Sequence, residues 1–293
     1  MTYVEAEIAT QPAAWSQAAA LDLGPLPRRG QRVAVVGCGT SWFMAMAYAA
    51  RRESLGHGET DAFQASEFPR GRGYDLVVAI SRSGTTTEVV DLLAGLSGPS
   101  LAIVGDPAGG AASVAGTAIA MPFADERSVV QTRFATTALA LLRAGLGEDV
   151  AALASDARRA LDVAVPLDAA AVEQVTFVGQ GWTVGLAQEA ALKCREAAAF
   201  WTEAYPAMDY RHGPIAIAAP GRAVWSFGPP PPGLAAEVIA TGASFVSGRA
   251  GDTLDPMAEL ILAQRFAVAL AQHRGLDPDA PRNLTRSVVL DQR

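Results

Sequence analysis

The feature that most constrains the fold of this 293-residue chain is a strand-like run closed by a glycine pair, which occurs twice. Val33-Ala-Val-Val-Gly37-Cys-Gly39 returns as Val175-Thr-Phe-Val-Gly179-Gln-Gly181, and an alanine-rich helical stretch follows each copy. Further apolar runs at Leu76–Ile80, Leu101–Val104 and Ala118–Met121 alternate with helical segments around Met44–Leu55, Thr87–Leu96 and Thr132–Leu146. Short apolar runs that alternate with helices are the pattern of parallel strands buried on both faces. After a helical stretch at Val150–Val163 the pattern restarts with runs at Val175–Val178, Ala223–Phe227 and Ala243–Val246, and Thr253–Arg274 reads as a last long helix. The expected fold class is therefore α/β, with two tandem doubly wound parallel sheets and flanking helices. The expected domains are 1–150 and 151–293.

The glycine pairs do not complete a dinucleotide fingerprint. Trp42 stands where the third glycine of G-x-G-x-x-G belongs, and the second copy reaches Gly185 one residue late. A different turn carries more chemistry. The run Leu76–Ile80 leads into Ser81-Arg-Ser-Gly-Thr-Thr-Thr87, where hydroxyls at 81, 83, 86 and 87 would meet the N-terminus of a helix. Unpaired N–H groups and a partial positive charge make such a turn an anion site, and a phosphate monoester fits it. Ser and Thr also cap ordinary helices, so both readings stand at this point. The Gly-Lys-Ser/Thr of a triphosphate loop occurs nowhere in the chain.

In the helix predicted at Leu186–Phe200, Glu189, Lys193 and Glu196 fall at i, i+4 and i+7 and share one face. Such a set is either a solvated ion pair or, at the carboxyl edge of a sheet, part of a site. Residues Trp201–Pro214 read as a loop rich in aromatic and polar groups, with His212 able to exchange protons near neutral pH. The formal net charge of −7, with no Lys/Arg block, argues against nucleic acid and anionic membrane as partners. Two distant cysteines and three scattered histidines offer neither a disulfide framework nor a metal motif. No apolar window reaches membrane-spanning length, so a cytoplasmic location and a small-molecule ligand are expected.

Taken together, these motifs resemble the sugar isomerase (SIS) family, and most of all the isomerase half of glucosamine-6-phosphate synthase and stand-alone amino-sugar-phosphate deaminases and isomerases. The resemblance rests on Glu7-Ile8-x-x-Gln11-Pro12-x-x-Trp15, Gly37-Cys-Gly-Thr-Ser41, Ala65-Ser-Glu-Phe68, Ser81-x-Ser-Gly-x-Thr86, Glu189-x-Ala-Leu-Lys193-x-x-Glu196, Glu203-Ala-Tyr205, His212-Gly-Pro214 and Pro281-Arg-Asn-Leu284.

The resemblance implies a sugar-phosphate aldose/ketose isomerase or amino-sugar-phosphate deaminase acting on a hexose or hexosamine 6-phosphate. It needs no metal or other cofactor. Ser81, Arg82, Ser83 and Thr86 would bind the phosphate, while Thr40, Ser41 and the backbone near Val129 would contact the sugar. Glu196 would move the proton between C1 and C2, His212 donated by a partner subunit of a homodimer would open the ring, and Glu189 and Lys193 would support them.

Two departures qualify this picture. The chain begins Met-Thr, so the synthase's glutaminase activity is not expected. Arg286 stands where the synthase has its imine-forming lysine, and a guanidinium is no nucleophile, which leaves it an electrostatic role. Loss of that lysine supports the alternative of a non-catalytic sugar-phosphate-binding regulatory protein, whereas Glu196 and His212 support an enzyme. The tail from Pro281 to Leu290 is expected to close over the ligand, with Val288, Val289 and Leu290 docked on apolar surface.

Overall fold

The computed structural model describes residues 1–248 and 254–290. Its elements follow in the order α1 Tyr3–Ala9, α2 Gln11–Ala19, β1 Val33–Gly37, α3 Thr40–Ser54, β2 Thr60–Gln64, β3 Leu76–Ser81, α4 Thr87–Ala94, β4 Ser100–Val104, α5 Gly110–Val114, β5 Thr117–Ala120, α6 Arg133–Gly145 and α7 Val150–Asp162. The second half runs β6 Gln174–Gly179, α8 Thr183–Ala198, β7 Thr202–Pro206, β8 Arg222–Ser226, α9 Leu234–Ala240, β9 Ser244–Ser247 and α10 Pro256–His273. Thr253, where the last helix was expected to start, lies outside the described residues.

Two compact units result. One comprises Ala13–Ala151 with Thr285–Arg293, the other Met1–Pro12 with Ala152–Leu284. Each unit is therefore discontinuous in sequence.

The first unit is built on a five-stranded sheet of order β2-β1-β3-β4-β5, parallel throughout. Every residue of β1, β3 and β4 is buried, which is why these strands read as unbroken apolar runs. The second unit holds a four-stranded parallel sheet of order β7-β6-β8-β9. In both sheets the strand order reverses beside the strand that ends in the glycine pair, the switch point at which open α/β sheets take ligands.

The repeated glycines have one repeated cause. A Cβ on Gly37 would lie 2.7 Å from the Ser41 backbone, and one on Gly179 would lie 2.4 Å from the Thr183 carbonyl oxygen. The first residues of α3 and α8 therefore pack directly on their strands. Gly39 and Gly181 supply the turn itself, with φ of 53° and 54°.

One reading is corrected. Residues 202–206, taken for loop, form β7, paired in parallel with β6. Its counterpart β2 was equally hidden in the sequence. Both are edge strands whose five positions run from buried through half-buried to exposed, so neither shows a continuous apolar run.

Candidate functional site

In the first unit, β3 delivers Ser81 and Ser83 to the carboxyl edge of the sheet, where both are buried. The loop is fixed from behind through its carbonyls. Gly105 and Asp106 donate backbone N–H groups to the Arg82 carbonyl at 2.9 and 3.0 Å, and Ala111 donates to that of Gly84 at 2.8 Å. A Cβ on Gly109 would meet the Ser83 carbonyl oxygen at 2.4 Å and the Gly84 Cα at 2.6 Å. Nothing in the sequence marked Gly109, because its neighbour across the turn is 25 residues away.

The front of the loop is a set of hydroxyls. Thr85 Oγ1 donates to Ser83 Oγ at 3.0 Å, and Ser81 Oγ, fully desolvated, has no hydrogen-bond partner among the described residues. A buried hydroxyl without a partner costs on the order of 1–3 kcal/mol, which an incoming acceptor would recover. Thr40 and Ser41, buried at the start of α3, sit at the end of the adjacent strand β1.

Arg82 points elsewhere. Its guanidinium is buried and donates to the carbonyls of Ser128 at 2.7 Å, Val129 at 3.4 Å and Arg286 at 2.8 Å, so it braces the 128–129 backbone and the chain's tail. The Arg286 side chain forms a two-pronged bridge to Asp125 at 2.6 and 2.7 Å and also donates to the Glu126 carbonyl. Beyond it the tail lies on the hydroxyl loop. Ser287 Oγ is 3.1 Å from Ser83 Oγ, 3.0 Å from Thr85 Oγ1 and 3.4 Å from Thr86 Oγ1. Thr87 donates its N–H to the Val288 carbonyl at 3.2 Å, and its hydroxyl accepts from Leu290 N–H at 2.9 Å. Docking is thus polar. Val288, Val289 and Leu290 remain 52%, 65% and 56% exposed, contrary to the expectation that they would seat on apolar surface. Sequence reasoning missed Thr85 and Ser287, which lie 202 residues apart.

In the second unit, Glu189 and Lys193 on α8 are each 1% exposed, which rules out the solvated surface pair. Lys193 Nζ lies 3.4 Å from Glu189 Oε1 and pairs also with Glu196, the most exposed of the three. One ammonium is shared by two carboxylates in a desolvated place, and removing it would leave buried carboxylate charge without its partner. Glu196 borders a cavity of about 50 Å³ together with Leu276, Asp277, Pro281 and Arg282. Burial pushes the neighbouring Cys194 thiol up to about 12, which removes it as a nucleophile. His212 ends a single 3-10 turn, Asp209–His212, and is exposed. The hydroxyl loop with Arg286 and the α8 group with His212 therefore belong to different units.

The fold is an α/β arrangement of two parallel sheets, with a hydroxyl-lined loop at a switch point of the first. Comparison with known proteins agrees with the resemblance read from the sequence: the relatives are isomerizing glutamine–fructose-6-phosphate aminotransferases, and the structural neighbours are sugar isomerase (SIS) phosphosugar isomerases and a glucosamine-6-phosphate deaminase. No family model matches the chain. It is 30% identical over 318 residues to a glutamine–fructose-6-phosphate aminotransferase (isomerizing) of Aeropyrum pernix, an alignment that covers 89% of this chain. The chain spans about half (51%) of that relative's length.

Among solved structures it is similar to glucosamine-6-phosphate deaminase from Thermotoga maritima, with TM-score 0.86, 24% identity and coverage of 99% of this chain and 100% of that one. It is also similar to the C-terminal domain of glucosamine-fructose-6-phosphate aminotransferase from Francisella tularensis, with TM-score 0.80, 21% identity and coverage of 96% and 98%. At these identities the structural likeness establishes the fold.

Proposed function

We propose that this protein binds a hexose or hexosamine 6-phosphate through the Ser81–Thr86 loop and moves a proton between C1 and C2 of the opened sugar. The observation that carries the reading is the loop: buried Ser81 Oγ lacks a partner, and the Ser83, Thr85 and Thr86 hydroxyls converge on one point before a helix N-terminus. Thr40 and Ser41 would contact the sugar, as would the backbone near Val129. His212, supplied by the partner of a homodimer, would protonate the ring oxygen and expose the C1 carbonyl.

Glu196 would then take the proton from C2 and return it to C1, shifting the carbonyl level from C1 to C2. With an amino group at C2 the product is an imine, which water hydrolyses to ketose and ammonia. With a hydroxyl there, the ketose forms directly. Lys193, paired with Glu189, also holds the carboxylate of Glu196 in place. The aldehyde has no ready imine partner, because Arg286 cannot form one and Lys193, the chain's single lysine, is buried between two carboxylates. The names of the relatives, an aminotransferase that isomerises and an amino-sugar-phosphate deaminase, support the same chemistry.

The test is incubation with a panel of hexose and hexosamine 6-phosphates, with ammonia and ketose both assayed. Turnover of one member is expected. Tight binding of a member with no turnover of any would replace the enzyme by the sensor reading. Subunit sharing has its own check: mixed and exchanged Glu196→Gln and His212→Asn chains should regain activity at sites that combine both native residues, and heterodimers that stay inactive would rule it out.

A further inference from the structure

The tail makes two contacts that copy an anion. A phosphate oxygen accepting from Ser83 and from Thr85 or Thr86 must lie roughly 2.7–3.0 Å from each hydroxyl. Ser287 Oγ already occupies that point, at 3.1, 3.0 and 3.4 Å from the three side chains. The Val288 carbonyl takes the N–H of Thr87, the first residue of the eight-residue helix α4, where a second phosphate oxygen would be received. Two oxygens cannot share one place. A further hydrogen bond, from Leu290 N–H to Thr87 Oγ1 at 2.9 Å, holds the segment, whose three apolar side chains are mostly in solvent, whereas Arg286 just before it is anchored on Asp125 and Glu126.

We propose that Ser287–Leu290 is an intramolecular stand-in for phosphate, an autoinhibitory contact that the phosphorylated ligand must displace to enter the loop. The inference rests on the reading of Ser81–Thr86 as the phosphate site. It reverses the order of events expected of a simple lid: phosphate drives this segment off the loop. The hydroxyl of Ser287 sets the strength of the competition, because it is the tail atom placed among the loop hydroxyls.

The experiment uses the full chain and inorganic phosphate as the probe. By calorimetry, Ser287→Ala should bind phosphate about 3- to 10-fold more tightly than wild type, the range that corresponds to one lost competing hydrogen bond. In parallel, phosphate should speed tryptic release of the peptide that begins at Ser287. Unchanged or weaker phosphate binding by Ser287→Ala, or slower release in phosphate, overturns the inference. Ser83→Ala separates the two levels. If it weakens phosphate binding while Ser287→Ala fails to strengthen it, the loop reading stands and the stand-in falls. If Ser83→Ala binds phosphate as wild type does, the loop reading fails and takes the inference with it.

Discussion

Both units place a turn at the same point of the same topology, after the strand beside the switch point, yet the two turns have opposite chemistry. After β3 come Ser81-Arg-Ser-Gly-Thr-Thr-Thr87, rich in N–H and hydroxyl donors. After β8 come Phe227-Gly228 and then four prolines, residues 229–232, which have no N–H to offer. The one donor left at the start of that second turn, Gly228 N–H, is taken by the carboxylate of Glu259 at 3.2 Å. Glu259 comes from the first turn of α10, is 5% exposed, and is pushed up to about 7 by burial, with nearby Asp255 adding to the effect. The lesson is that the fold offers an acceptor site twice and the turn residues decide its use. One turn presents hydroxyl donors, and the other is closed by the protein's own acid.

The sharpest way to separate the two units is to remove chemistry from the second and leave binding in the first. Glu196→Gln should lower turnover by about 10²- to 10⁴-fold, the contribution of a typical general base, because the amide keeps the shape and cannot accept the proton. Sugar-phosphate affinity measured calorimetrically should stay near that of wild type. A variant with wild-type turnover would take Glu196 out of the reaction.

The next effect concerns the closed turn and depends on pH. Glu259 holds its proton more tightly when folded than its ordinary value of 4.5 allows in the unfolded chain. Between pH 4.5 and about 7 the unfolded state therefore binds fewer protons, and the stability associated with this group, complete at low pH, is lost as pH rises through that window. Glu259→Gln, which still accepts from Gly228, should be more stable than wild type by about 3 kcal/mol at pH 8 and equal to it at pH 4.5. Denaturant melts at both pH values measure this, and a gain of the same size at both would show that the carboxyl is not titrating.

The smallest effect tests the comparison directly. Ser83→Ala should weaken hexose 6-phosphate binding about 10-fold or more, since a hydrogen bond to a charged group contributes roughly 1.5–3 kcal/mol, while the unphosphorylated sugar is unaffected. Ser226→Ala, at the end of β8, should change neither. Its hydroxyl donates to the Gly228 carbonyl inside its own turn, at a long 3.4 Å. Equal losses from the two substitutions in a calorimetric titration would mean that the turns are not divided in the way their residues suggest.

The sequence by itself determined the central strands, the helices between them and the duplication. These depend on local periodicity and on glycines with local roles: a side chain on Gly37 or Gly179 would meet the residue four positions on, and Gly39 and Gly181 supply the positive φ of the turn. It also determined the hydroxyl turn and the grouping of Glu189, Lys193 and Glu196, because helical spacing alone puts those three on one face. Tertiary structure decided whatever depends on which distant segment arrives. Half-buried edge strands β2 and β7 acquire their pairing only from a neighbour, and Gly109 matters only because the Ser83–Gly84 backbone passes against it. The burial of Glu189 and Lys193 sets them apart from surface decoration, and no residue pattern on α8 encodes how deeply that face is covered. Ser287 reaches a loop some two hundred residues earlier, and Glu259 reaches Gly228. Long-range encounters of this kind leave no trace in local composition, since the energy that selects them comes from desolvation and hydrogen bonding realised only after the chain has closed on itself.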